Sequence, residues 1–158
     1  MVDAGDDAAL VPAIRRAVSG VRVCGEHEDA DLTRDTALAA RTGAALICPG
    51  ADAAEVAARR GVAAERILVQ AAPAGIEAVV RAGWPVLADL EGLADLGGGA
   101  DPGGAAGLAR TEAAAAVCAW LGASVLRTRH VAEVRRCADM TEAILGRRPP
   151  VWAVRGLA

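Results

Sequence analysis

Ala45-Leu46-Ile47-Cys48-Pro49-Gly50 is a short apolar run stopped by Pro-Gly, and Asp52 to Arg60 after it reads as a helix. Arg66-Ile67-Leu68-Val69-Gln70 is the next apolar run, followed by a helix from Pro73 to Ala82. Both runs read as strands. Alternation of such strands with Ala-rich helices predicts parallel strands joined by crossover helices. Asp52 is the expected N-cap of its helix, Pro73 fits a first turn, and Gly61 and Gly83 are helix stops.

The same rhythm extends in both directions. Upstream, Leu10 to Val18 is a helix with Leu10, Ile14, Ala17 and Val18 on one face; Val21 to Cys24 and Ala30 to Thr33 are strands; Asp35 to Arg41 is a helix ended at Gly43. Downstream, Pro85 to Leu90 is a strand, Arg110 to Leu121 a helix, Ser124 to Arg129 a strand and Val131 to Leu145 a helix. The expected fold is α/β, with about six parallel strands and helices outside, in one domain over residues 1–158. Residues 96–107 hold six Gly and one Pro and are expected to be a flexible loop. The tail 147–158 is expected to be irregular. Trp84, Trp120 and Trp152 are expected as core or interface anchors.

Composition limits the function classes. The 158 residues carry 17 basic and 20 acidic side chains, for a formal net charge of -3. A nucleic-acid partner would call for a basic surplus. All the basic residues are Arg, and Lys, Asn, Phe and Tyr are absent, as in a GC-rich genome. The first residues, Met-Val-Asp-Ala-Gly-Asp-Asp, have no signal-peptide character, and no apolar run spans a bilayer, so the expected location is the cytoplasm, with no membrane contact. Cys24, Cys48, Cys118 and Cys137 form no Cys-x-x-Cys pair and are expected as free thiols. The glycines at 97–99 and 103–104 follow no strand directly, which argues against a dinucleotide fingerprint.

One segment carries a family likeness. Gly83-Trp84-Pro85-Val86-Leu87, then Arg110-Thr111-Glu112 opening an Ala-rich helix, then Gly122 to Val131 with Arg127-Thr128-Arg129-His130, resemble the last two βα units of dihydropteroate synthase. The ending, Gly146-Arg147-Arg148-Pro149-Pro150 and Val154 to Ala158, is similar to the diverged second paralogue of that enzyme in GC-rich bacteria. The likeness is carried by residues 83–158 and extends back to residue 10. It implies a TIM-type (β/α) barrel with its site at the strand C-termini, truncated here to about six strands. The family joins a pterin pyrophosphate to p-aminobenzoate with Mg²⁺. Its first two strands, with the Asn-bearing metal loop, have no counterpart in this reading, so no cofactor and no metal are expected.

Carried over position by position, the resemblance implies a degenerate pterin pocket. Cys24 stands where the family has its first pterin Asp. Arg34-Asp35 replaces an Asn-Asp pair, and Gln70 replaces the second Asp. The segment Asp89-Leu90-Glu91-Gly92-Leu93 occupies the place of a Ser-x-Lys loop. Arg127 keeps the final-strand Arg, and Arg129 with His130 stands where the family has a His. A pterin edge is rich in donors and needs acceptors; unpaired buried polar groups cost about 1–3 kcal/mol each.

Read as residues, Arg127 and Arg129 alternate on one strand and can face one spot. Guanidinium forks there suit phosphate or carboxylate, with His130 and the following helix N-terminus adding donors. The competing reading is ion pairs with Glu26, Glu28 or Asp89. Glu26-His27-Glu28-Asp29 beside Cys24 and Cys48 is either a solvated acidic loop or, against its spacing, a metal site. The expected function is a synthase-like protein inactive in folate synthesis, acting as a binding, regulatory or oligomerisation partner. The alternatives are changed chemistry on a phosphate-bearing small molecule, or a working synthase. The family's use of its C-terminal helices implies a homodimer, or a heterodimer with a full-length paralogue. The apolar residues for it are Val117, Trp120, Leu121, Val134, Ala138 and Ile144.

Overall fold

The computed structural model describes residues 2–3, 9–17, 20, 22–95 and 105–148. Seven parallel strands lie side by side in chain order: β1 (Val2–Asp3), β2 (Val23–Cys24), β3 (Leu32–Thr33), β4 (Ala45–Cys48), β5 (Ile67–Gln70), β6 (Val86–Asp89) and β7 (Val125–Arg127). The six expected strands are all present. The pairing of Val2 with Val23 and Asp3 with Cys24 adds one more, in a stretch that carries no strand signal of its own. Helices α1 (Leu10–Ala17), α2 (Thr36–Thr42), α3 (Ala51–Arg59), α4 (Pro73–Arg81), α5 (Leu90–Asp95), α6 (Ala105–Trp120) and α7 (Val131–Ile144) occupy the connections. This is a (β/α) barrel wall; among the described residues β7 is not paired back to β1 or β2, so the wall is open.

The period-2 alternation of the strands sorts their side chains. Cys24, Leu32, Ile47, Leu68 and Leu87 pack together on the concave face, with Val125 partly buried beside them. Their neighbours face the helices: Leu46, Cys48, Ile67 and Val69 pack under α3, and Val86 and Ala88 under α4, α6 and α7. Both faces are covered, which is why these strands read as unbroken apolar runs. Each fully buried aliphatic side chain contributes roughly 1.5–3 kcal/mol. Trp84 packs partly buried against the α3 cluster, Trp120 is exposed, and Trp152 lies outside the described residues.

Helix ends differ in detail from the sequence reading. Asp35 caps α2, its Oδ1 accepting from the amides of Ala37 and Leu38 at 2.7 and 3.1 Å, and Gly43 ends it at φ 75°, where a side chain is strained. The N-cap of α3 is Gly50 and not Asp52; Asp52 sits in the exposed first turn, where its charge still favours the helix N-terminus. On α1 the buried residue is Val11, with Ile14 against it, while Leu10 is exposed. Val18 and Val21 lie outside the described residues.

Two corrections fall near the C-terminal half. The expected loop 96–107 ends earlier, because α6 begins at Ala105. Ala105, Ala106, Leu108 and Ala109 are good helix formers, and Gly107 is buried where the helix packs. Residues 96–104 lie outside the described residues, as does the tail from 149. Leu90, read as the last residue of a strand, instead opens the helix Leu90–Asp95, with its side chain fully buried in the core.

Candidate functional site

The C-terminal ends of the strands carry the candidate positions. Gln70 follows Leu68, and Asp89 follows Leu87, by two residues along their strands, so both face the concave side. Arg127 follows Val125 in the same way. A hollow of about 470 Å³ opens there, lined by Pro49, Gln70, Ala71, Ala72, Asp89, Gly92 and Leu93.

The register β6–β7 sets Asp89 directly against Arg127. Arg127 Nη1 donates to Asp89 Oδ2 at 2.7 Å, with 30% and 21% of the side chains exposed. Arg129, just beyond β7, donates through Nε to Glu91 Oε2, and its amide donates to Glu91 Oε1 at 2.7 Å. Both pairs span 38 residues in sequence, so one register makes both. Each of the two guanidiniums is thus paired with its own carboxylate. Of the alternatives weighed from sequence, the Asp89 pair is present, and Glu91 takes the place expected for Glu26 or Glu28. The spacing held the signal: an acid pair two apart at the end of one strand faces a base pair two apart at the end of the next.

His130 is the N-cap residue of α7. Its side chain makes no capping bond, and its amide donates to Thr128 Oγ1 at 3.0 Å.

On the other side, Cys24 is fully buried, and Arg34 Nη1 donates to its Sγ at 3.7 Å. Arg34 thus lies over Cys24. Asp35 is exposed and its carboxylate is committed to the cap of α2. Glu26 accepts from Thr33 Oγ1 at 2.7 Å and from the Arg34 amide at 3.1 Å, which folds the β2–β3 loop back on β3. Glu28 pairs with Arg41 at 3.6 Å. Both ring nitrogens of His27 are occluded and make no hydrogen bond.

These contacts bear on the Mg²⁺ that the fold family implies. Among the described residues no three His, Cys, Asp or Glu side chains are grouped to hold a metal. Mg²⁺ requires an octahedral shell of oxygen ligands, while Asp89, Glu91, Glu26 and Asp35 are all engaged by guanidinium, hydroxyl or amide donors. The residues present do not fit that ion. The thiols are no better suited as nucleophiles: burial pushes Cys48 and Cys118 above the ordinary value of 9.0. Burial first, then the Glu112 carboxylate, does the same to Cys137.

No family profile matches the chain. It is 35% identical over 127 residues to inactive dihydropteroate synthase 2 of Mycobacterium tuberculosis, covering 72% of this chain and 40% of that protein. The Mycobacterium leprae protein of the same name is 35% identical over 83 residues, covering 52% of this chain and 28% of the relative. The chain thus spans less than half the length of these curated relatives. Among solved structures, Mycobacterium tuberculosis Rv1207 superposes with a TM-score of 0.66 at 25% identity, over 94% of this chain and 83% of that one. Yersinia pestis dihydropteroate synthase gives 0.69 at 15% identity, over 92% and 82%, a likeness of fold alone. No described helix is long and apolar enough to cross a membrane.

Proposed function

We propose that this dihydropteroate-synthase-like chain does not make dihydropteroate and serves in the cytoplasm as a binding or oligomerisation partner. The observation that carries this reading is the pair of cross-strand ion pairs, Arg127–Asp89 and Arg129–Glu91, which neutralise the anion corner a pyrophosphate substrate would need. Cys24, Arg34 and Gln70 add to it, because none offers the carboxylate acceptors that a pterin edge requires. The curated relatives carry the word inactive in their names. The test is complementation of a folate auxotroph lacking its own synthase: no growth is expected, and growth overturns the proposal.

The partner surface we propose is the outer face of α6 and α7. Val117, Trp120, Met140 and Ile144 are 52–68% exposed there, a concentration of large apolar side chains that water disfavours. Val134, counted on this face from sequence, is buried instead, and Met140 takes its place. A homodimer is the expected occupant. Light scattering at micromolar concentration should give twice the chain mass, and Ile144→Asp should give the monomer. A wild-type monomer overturns the homodimer and directs the search to a full-length paralogue.

Changed chemistry on a phosphate-bearing molecule requires both ion pairs to open. Stabilisation of the wild type by phosphate, lost in Arg127→Ala, would favour that reading over the first.

A further inference from the structure

A second cavity, among the described residues, lies away from the strand ends. A cleft of about 790 Å³ runs along β7 and α7 at the open end of the sheet, within the range of small-molecule sites. Its apolar wall is Val125 of β7 with Val131 and Ala138 of α7. Gly20 and Arg22, which precede β2 in the chain, form the facing side. The two sides come close: a Cβ on Gly20 would stand 3.4 Å from Arg135 Nη1.

Charge in this cleft is unbalanced. Arg147 is neutralised, donating to Glu142 Oε1 and to the Ala119 carbonyl, both at 3.1 Å. Arg22 reaches Asp31 only at 3.7 Å and is 72% exposed, a loose surface pair of little energetic weight. Arg135 has no ion pair or hydrogen bond to any described residue. One uncommitted guanidinium and one loosely held one therefore stand over an apolar wall. A guanidinium in that setting pairs with carboxylate or phosphate through two parallel bonds, and the wall takes apolar surface out of water.

We propose that the cleft between β7, α7 and the residues Gly20 and Arg22 binds a small amphipathic anion. Its acidic head sits on Arg135 beside Arg22, and its apolar body lies on Val125, Val131 and Ala138. The site is separate from the strand-end positions and does not rest on the reading of them as inactive.

The probe is decanoate, used below its micelle concentration, with decanol and inorganic phosphate as controls that each carry half of the ligand's chemistry. Decanoate should raise the Tm of the wild type more than either control. By titration calorimetry, Arg135→Ala should weaken decanoate about tenfold or more, the loss of one charge-assisted head-group contact. Ala138→Trp, which fills the wall, should abolish binding. Arg135 is exposed, so its variant keeps the test valid if Ala138→Trp misfolds by circular dichroism. No binding by the wild type, or equal affinity in wild type and Arg135→Ala, overturns the proposal. So does binding lost in Ile144→Asp, which would put the probe on the α6–α7 face, or binding of an acidic apolar peptide in place of decanoate.

Discussion

Asp89→Ala tests the contact on which the reading of the strand ends depends. Asp89 Oδ2 accepts from Arg127 at 2.7 Å, and Asp89 Oδ1 also accepts from the Glu91 amide at 3.1 Å, at the start of α5. The single variant therefore loses two bonds, and a double-mutant cycle with Arg127→Ala is needed to isolate the pair. A hydrogen bond to a charged group contributes roughly 1.5–3 kcal/mol, and an exposed ion pair roughly 0.2–1 kcal/mol. With 30% and 21% of the side chains exposed, this pair falls between the two cases. The expected coupling is about 1–2 kcal/mol, or ~2–8 °C in Tm for a domain of this size. Urea unfolding followed by far-ultraviolet circular dichroism measures it. Repeating the cycle in high salt should reduce the coupling only in part, because the pair is partly shielded from solvent. A coupling below about 0.3 kcal/mol, the ordinary error of additivity, refutes the idea that Asp89 holds Arg127.

Three further outcomes follow from the contacts described. Asp35→Ala should cost about 1 kcal/mol by removing the α2 cap, and Asp35→Asn should recover most of it; equal losses in urea midpoint for both would sink the capping role. Leu87→Ala, at a fully buried position of the concave core, should cost about 2–5 kcal/mol, and a loss under 1 kcal/mol would show that this layer is not closely packed. Stability should fall as pH rises above about 9, because the unfolded chain ionises its thiols there while burial keeps Cys48, Cys118 and Cys137 protonated to higher pH. The folded pKa lies above the unfolded one, so the stability is present below that pH and lost above it. An unchanged alkaline slope in Cys48→Ala/Cys118→Ala assigns the loss elsewhere.

The amino-acid sequence alone determined the strand and helix rhythm. Runs such as Ala45–Cys48 and Ile67–Gln70 are apolar on both sides, and only a doubly covered parallel strand buries both. Gly43 and Pro73 marked helix boundaries because their backbone limits are local. Where side-chain burial decides the outcome, local rules failed: Leu90 draws Leu90–Asp95 into a helix, and α6 starts at Ala105, within the glycine-rich stretch. The two residues of β1 become a strand only because β2 lies beside them.

The site divides the same way. The sequence placed Cys24, Gln70, Asp89 and Arg127 at strand ends, since strand position is a local property. It could not say whether Arg127 and Arg129 face an anion or a carboxylate. That depends on the β6–β7 register, which aligns Asp89 with Arg127 across 38 residues. Register is set by the packing of whole strands against helices and against one another, so only the tertiary structure decides which charges meet.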